Sequence, residues 1–166
     1  MTPNFLLVPI AALIPLLVGF IWYNPKVFGT AWIKSTGLTE EQLRQANMAK
    51  IFGLTYLFGL LIAAGLLSIV IHQFHMYSIL MNEPGLNEKG SEINNYITDF
   101  MTKYGSNFRT FKHGALHGTI AGIFLALPIT GVIALFERKS AKYIFIHTGY
   151  WILTMALMGG VICQFA

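Results

Sequence analysis

The stretch IFGLTYLFGLLIAAGLLSIVIHQFHMYSILMN, residues 51–82, decides the fold class, because its 32 residues include no Asp, Glu, Lys or Arg. A helix needs about 20 apolar residues to cross a hydrocarbon core about 30 Å thick. As one helix the stretch would be about 48 Å long, at about 1.5 Å per residue. Part of it must therefore project from the bilayer, and His72-Gln73-Phe74-His75 is the polar point at which the projection can begin.

Three further charge-free stretches, residues 1–25, 113–136 and 143–166, are each 24 or 25 residues long. Charged residues make up 11% of the chain, about half of the roughly 25% typical of soluble domains. This pattern predicts an all-α integral membrane bundle of four transmembrane helices. We expect the spans at about 4–23, 51–73, 114–136 and 143–165, in a single transmembrane domain that covers residues 1–166.

The same arithmetic excludes a soluble enzyme, a secreted disulfide domain and a disordered chain. It also excludes a membrane β-barrel, whose strands would be about 10 residues long and alternating in polarity. The first stretch has no Lys or Arg before its apolar run, so we interpret it as a retained span rather than a signal peptide. Cys163 is the single cysteine, so the sequence has no internal disulfide.

The first connection is expected to contain an interfacial amphipathic segment. Phe28, Trp32 and Ile33 share one face of a short helix, which could lie at the membrane surface. Aromatic rings favour the interface between water and lipid. We therefore predict four interfacial anchors: Trp22, Tyr23, Phe28 and Trp32.

Two helix starts can be located in the connections. Thr39-Glu40-Glu41-Gln42 has the pattern of a capping box, and we expect its helix to run on through Lys50 into the second span. The middle connection opens with Pro84-Gly85, after which Ser91 is a candidate N-cap. Apolar residues at helical spacing follow it and predict an outer helical connection: Ile93, Ile97, Phe100, Met101 and Tyr104.

Basic residues predict the orientation. The first and third connections hold seven Lys and Arg and the middle connection four. The positive-inside rule therefore places the first and third connections in the cytoplasm and both termini outside. The net charge of +4 is explained by these residues beside the spans. The predicted partner surface is thus the lipid bilayer and not a nucleic acid.

The segments WYNPKVFGTAW, residues 22–32, and GLTEE, residues 37–41, resemble the DUF1761 family of small bacterial membrane proteins. HGALHG at 113–118, GYW at 149–151 and LMGG at 157–160 also fit that resemblance. It covers essentially the whole chain and implies a four-helix integral membrane protein, most often of a bacterial inner membrane. It implies no established activity and no site residues.

The histidines give the sharpest functional signal. His72 and His75 lie where the second span ends, and His113 and His117 where the third begins. Each pair shares one helical face, and the predicted topology puts both pairs on the outer side. Four imidazoles at one depth could bind zinc or copper. The alternatives are interfacial or hydrogen-bonded histidines and a pH-sensing role.

Three further residues are candidate metal ligands at the same end of the bundle, and the fifth histidine lies near the other end. Cys163 should reach the same level along the fourth span, and Met76 and Met158 are candidate soft donors. His147 lies alone near the inner end of the fourth span, where bonding to a neighbouring helix is the expected role. No other cofactor is indicated.

The third span carries small residues at every fourth position: Gly114, Gly118, Gly122 and Ala126. Membrane helices associate largely through close backbone approach at such residues. The stripe therefore predicts helix packing, either inside the four-helix bundle or at a subunit interface.

The spans contain no Asp, Glu, Lys or Arg, although ion-coupled carriers normally keep one near the midplane. The chain also lacks a Walker motif, Gly-x-Ser-x-Gly and His-Glu-x-x-His. We therefore expect no enzyme. The first hypothesis is a non-enzymatic membrane protein that acts through helix packing, as a homo-oligomer or an accessory subunit. The alternative is a metal-ion or small-molecule binding or permeation protein that uses the outer histidines.

Overall fold

The computed structural model describes residues 4–166, and within that range the chain is helical with no β-strand. Three helical segments are long and apolar enough to cross a membrane: Met48–Val70, Phe111–Phe136 and Ala141–Phe165. A fourth candidate is the pair Leu7–Trp22 and Pro25–Thr36, which is bent by 57°. The predicted all-α class is confirmed, with three or four candidate spans.

The first predicted span, 4–23, consists of two helices rather than one. Helix α1 is Leu7–Ala11 and α2 is Ile14–Trp22. The break lies just before Pro15, whose nitrogen has no hydrogen to donate to the preceding turn. After Trp22 the chain bends at Asn24, whose side chain accepts a hydrogen bond from the Lys26 N–H at 2.9 Å.

The bend leads into one π-helical turn, Pro25–Gly29, and then into helix α3, Thr30–Thr36. Helix α3 ends at Gly37, which has φ 77°, a left-handed conformation that glycine adopts without a steric penalty. The predicted amphipathic segment is therefore helical.

The predicted capping box is present. The Gln42 N–H donates to Thr39 Oγ1 at 3.2 Å, and the Thr39 N–H donates to Gln42 Oε1 at 2.9 Å. Its helix, α4, covers only Glu40–Arg44, so the expectation that it continues into the second span is wrong. Asn47 takes an extended conformation and accepts the Lys50 N–H at 3.0 Å. This new N-cap starts helix α5, Met48–Val70.

The second span also ends earlier than predicted, at Val70 instead of residue 73. Ile71 has φ −108° and ψ 90°, an extended conformation that interrupts the helix before the histidines. Helix α6, Gln73–Ile79, starts afresh. Helix α7, Glu92–Tyr104, begins at Ser91, whose Oγ accepts the Asn94 N–H at 3.1 Å. This agrees with the predicted cap and outer helix.

The last two predicted spans form an antiparallel hairpin, in which Gly114 lies against Gly159 and Gly122 against Ile152. Helix α8, Phe111–Ala121, passes through a π-helical turn, Gly122–Ala126, into helix α9, Leu127–Phe136. The π-helical turn directly precedes Pro128, which cannot donate a bond to the turn before it. Helix α10 is Ala141–Phe165.

The glycine stripe of the third span faces α10 of the same chain. A Cβ on Gly122 would lie 2.7 Å from Ile152 Cα, and a Cβ on Gly118 would clash with the carbonyl of Met155. Gly114 and Gly159 meet backbone to backbone in the same way. Ala126, the fourth stripe residue, is half-buried. The hairpin is thus held by backbone approach that only glycine permits.

Apolar side chains fill the space between α5 and α10. Leu66, Val70, Ile71, Met158 and Ile162 are each at most 2% exposed. They belong to one close-packed apolar cluster, and Val70 and Ile71 directly precede His72 in the chain.

Candidate metal centre

Three of the predicted histidines meet at one end of the bundle. His72 occupies the joint between α5 and α6, while His113 and His117 lie one turn apart on α8. The interrupted helix at Ile71 turns His72 toward α8. All three rings remain partly accessible at the surface of this end.

The ring nitrogens of the three histidines converge. His72 Nε2 lies 2.9 Å from His113 Nε2 and 3.3 Å from His117 Nε2. One ligand nitrogen from each residue can be chosen so that all lie within 4.8 Å of one another. With Zn–N bonds of about 2.0–2.1 Å, two nitrogens of a tetrahedral zinc site lie about 3.3 Å apart. The cluster therefore has the spacing of a transition-metal site with three imidazole ligands.

Hydrogen bonding accounts poorly for this cluster. A neutral imidazole has one N–H donor and one acceptor nitrogen, and that acceptor has a single lone pair. His72 Nε2 faces two other Nε2 atoms, so it can donate to only one of them or share one lone pair between two donors. A cation that accepts electron density from all three nitrogens satisfies them together.

The electrostatics favour the metal-binding form of His72. Burial lowers its pKa from the ordinary value, and the neighbouring His117 and His75 lower it further. The neutral imidazole is the form that binds metals. His72 thus keeps its ligand lone pair at neutral pH.

The other predicted ligands lie outside the group of three. The ring centroid of His75 is 6.2 Å from that of His72. Cys163 is buried, and its Sγ donates to the carbonyls of Val70 and Phe108, both at 3.3 Å. Met158 is fully buried in the core. Within residues 4–166 no Asp or Glu joins the three histidines.

Two residues that sequence reasoning did not select position this site. Gln73 Nε2 donates to the carbonyls of Gly105 and Asn107, at 2.9 and 3.0 Å. These bonds tie the joint between α5 and α6 that contains His72, here called the His72 corner, to the segment before α8. Phe108 stacks on His113 with ring centroids 5.1 Å apart. The only sequence signal for Gln73 is its place between two histidines.

A cavity of about 430 Å³ adjoins the histidine cluster at His72. It lies between the start of α6, helix α7 and the segment before α8. His72 belongs both to the cavity wall and to the histidine cluster. The other lining residues are Gln73, Met76, Phe100, Tyr104, Asn107 and Phe108.

The four predicted interfacial anchors contact one another near the opposite end of α10. The rings of Trp22 and Phe28 are 4.4 Å apart and those of Tyr23 and Trp32 are 5.3 Å apart. Trp22 Nε1 donates to the carbonyl of Ile146 at 3.1 Å. The anchors therefore form an aromatic cluster that fastens the bent first span to α10.

His147 belongs to that aromatic cluster. The Tyr23 hydroxyl lies 3.3 Å from His147 Nδ1, which agrees with the expected bond to a neighbouring helix. Tyr150, one turn further along α10, donates to the carbonyl of Pro15 at 2.9 Å. Both contacts hold the first span against the fourth.

A family model described as a protein of unknown function (DUF1761) matches residues 6–163 of the chain. The match includes both the three clustered histidines and the aromatic cluster. The chain has no significant match among curated proteins or among solved structures.

Proposed function

Because the chain belongs to the DUF1761 family, whose function is unknown, we propose a function from the site itself: a non-enzymatic membrane protein that binds a divalent transition metal. The observation that carries the proposal is the convergence of His72, His113 and His117, with Nε2 atoms 2.9 and 3.3 Å apart. Three imidazoles suit zinc, and copper is the second choice. This function is the alternative that the sequence predicts, metal binding by the outer histidines, with three ligands instead of four.

Permeation through the monomer has less support than binding. Val70, Ile71 and Ile162 belong to the apolar core next to the histidines and are at most 1% exposed. No polar side chain among them offers a path for an ion through the bundle. The site therefore suits a bound metal better than the mouth of a pore.

Zinc titration of the purified protein tests the proposal. We expect one zinc per chain, with affinity reduced at least tenfold in His72→Ala, His113→Ala and His117→Ala, since each removes one of three ligands. His75→Ala is the matched control, because His75 lies next to the cluster but outside it. Equal losses in all four variants, or no zinc retained by the wild-type protein, would contradict the proposal.

We further propose that the chain is a four-span protein of a bacterial inner membrane, with the bent pair Leu7–Trp22 and Pro25–Thr36 as its first span. The apolar length of the pair supports this, as do the basic residues of the first and third connections. In this topology the metal site faces the extracytoplasmic side.

Association as a homo-oligomer or with a larger membrane protein remains the second candidate function. Large apolar side chains point away from the bundle, such as Leu61, Phe124 and Leu135 at 65%, 71% and 69% exposure, and they offer a face on which lipid or another helix can pack. Gly114, Gly118 and Gly122 pack on α10 of their own chain, so an oligomer would use another face. Cross-linking in native membranes, followed by mass measurement, distinguishes a self-complex from a foreign partner.

A further inference from the structure

The three histidines leave one of the four ligand positions of a tetrahedral metal without a protein ligand. A tetrahedral zinc takes four ligands, and a site with three protein ligands keeps its fourth position for an external donor. Within residues 4–166 the ligand group contains three histidines and no fourth His, Cys, Asp or Glu. The fourth position is therefore open to a donor from solvent or from a bound molecule.

The adjoining cavity reaches the histidine cluster through one residue, His72. His72 is both a member of the cluster and part of the cavity wall. Phe108 also lines the cavity and stacks on His113 at 5.1 Å. A molecule in the cavity thus contacts His72, one of the three proposed ligands, and Phe108, which packs on a second one, His113.

The side chains that line the cavity favour a ligand that is mainly apolar. Its lining is mainly apolar and includes Met76, Phe100, Tyr104 and Phe108. The amide N–H groups of Gln73 donate to the carbonyls of Gly105 and Asn107, so they are engaged within the protein. At about 430 Å³ the cavity is within the range of roughly 300–1,000 Å³ usual for sites of small ligands.

The positive charge of the metal favours a ligand with an anionic end. Three neutral imidazoles leave the full charge of a divalent metal uncompensated, and no carboxylate of the described residues joins them. An anionic oxygen donor supplies both the missing ligand and the missing charge. A single apolar chain with one carboxylate meets both requirements.

On the basis of the proposed metal function, we propose that this cavity binds a fatty acid, whose carboxylate completes the coordination of the metal held by His72, His113 and His117. The acyl chain lies against Met76, Phe100 and Phe108. A molecule of this class is delivered from the bilayer that surrounds the protein.

Cobalt substitution tests the inference, because the visible absorption bands of Co²⁺ report the number and geometry of its ligands. The Co²⁺-loaded protein in detergent is titrated with octanoate and, separately, with acetate, the free octanoate concentration being measured by dialysis against protein-free micelles. We expect both anions to change the spectrum. Octanoate should act at a concentration at least tenfold lower, because its methylene groups leave water for the cavity.

Phe100→Ala removes one wall of the cavity without touching the metal. It should weaken octanoate binding at least fivefold while the acetate response stays as in the wild-type protein. Tyr96→Ala is the control, because Tyr96 lies one turn earlier on α7, is 57% exposed and does not line the cavity. An unchanged Co²⁺ spectrum before anion addition shows that each variant keeps the metal site.

The outcomes separate the two proposals. Normal Co²⁺ binding with equal octanoate and acetate midpoints, or with no response to either anion, would overturn the fatty-acid site and leave the metal function intact. An octanoate advantage that survives in Phe100→Ala would also overturn it. Failure of the wild-type protein to bind Co²⁺ would overturn both.

Discussion

His72 Nε2 lies 2.9 Å from His113 Nε2, although the two residues are separated by 41 positions in the chain. The contact joins the end of α5 to the start of α8, across the whole connection between them. It depends on the extended conformation of Ile71, which ends α5 one residue before His72. If α5 continued without interruption, His72 would keep its place on the helix surface instead of turning at a joint.

Metal binding should depend on pH. Imidazole binds metal only in its neutral form, and the pKa of His72 is lowered by burial and by His117. Zinc affinity should therefore be constant above about pH 7 and should fall as the pH drops below the ordinary imidazole value of about 6.5. Zinc titrations between about pH 5 and pH 8 measure the profile. A profile that is flat down to about pH 5 would show that the ligands are not histidines.

Gln73→Leu should weaken zinc binding severalfold without removing a ligand. The variant loses the two hydrogen bonds to Gly105 and Asn107 that hold the His72 corner, and it leaves those carbonyls unpaired. Gln45→Leu is a suitable control, since the side chain of Gln45 bonds only locally, to Glu41. Calorimetry of zinc binding compares the two variants. Equal zinc affinity in Gln73→Leu and Gln45→Leu would show that the corner does not depend on these bonds.

The sequence was sufficient for the helical class, because charge-free runs of 24 residues or more leave few other folds. Pro15 marks the interruption at Leu13, whereas the interruptions at Gln45 and Ile71 were not located. Each falls inside or beside a stretch that favours helix. The backbone is extended at Asn47 and Ile71, whereas Leu13 keeps helical angles just before Pro15. Pro15 and Asn47 were visible signals for the first two, whereas Ile71 has no such marker.

The candidate site was predictable in part, because helical spacing and the order of the spans can be derived from the sequence. Helical spacing placed His113 and His117 on one face, and topology placed His72 near them. His75 could not be separated from His72 without the break at Ile71, since the spacing alone treats the two alike. The cavity depends on how α7 and the segment before α8 pack, which no periodicity encodes.

The orientation is tested by a reporter fused after Ala166. Seven basic residues in the first and third connections against four in the middle connection predict an extracytoplasmic C-terminus. An alkaline phosphatase fusion should therefore be active and a fluorescent-protein fusion dim. A bright fluorescent-protein fusion together with an inactive alkaline phosphatase fusion would put the metal site on the cytoplasmic side.

Gly118→Leu should destabilise the bundle more than any other single change in the hairpin. Lipid is as apolar as the side chains, so these helices associate through close packing and not through the hydrophobic effect. A Cβ at Gly118 already meets the carbonyl of Met155 and lies 2.9 Å from Ala156 Cα. A leucine there has to push α8 away from α10 along the whole glycine stripe. We expect a loss of about 1–3 kcal/mol in stability, measured by thermal unfolding in detergent.

The matched control is Gly131→Leu in α9, where a Cβ would meet no atom within 4 Å. It makes the same chemical change on the same hairpin without a clash, so its melting temperature should stay close to that of the wild-type protein. Zinc affinity should fall with stability in Gly118→Leu only, because His117 is its neighbour on α8 and its ring depends on the position of that helix. Equal melting temperatures for the two variants would mean that α8 and α10 do not pack through Gly118.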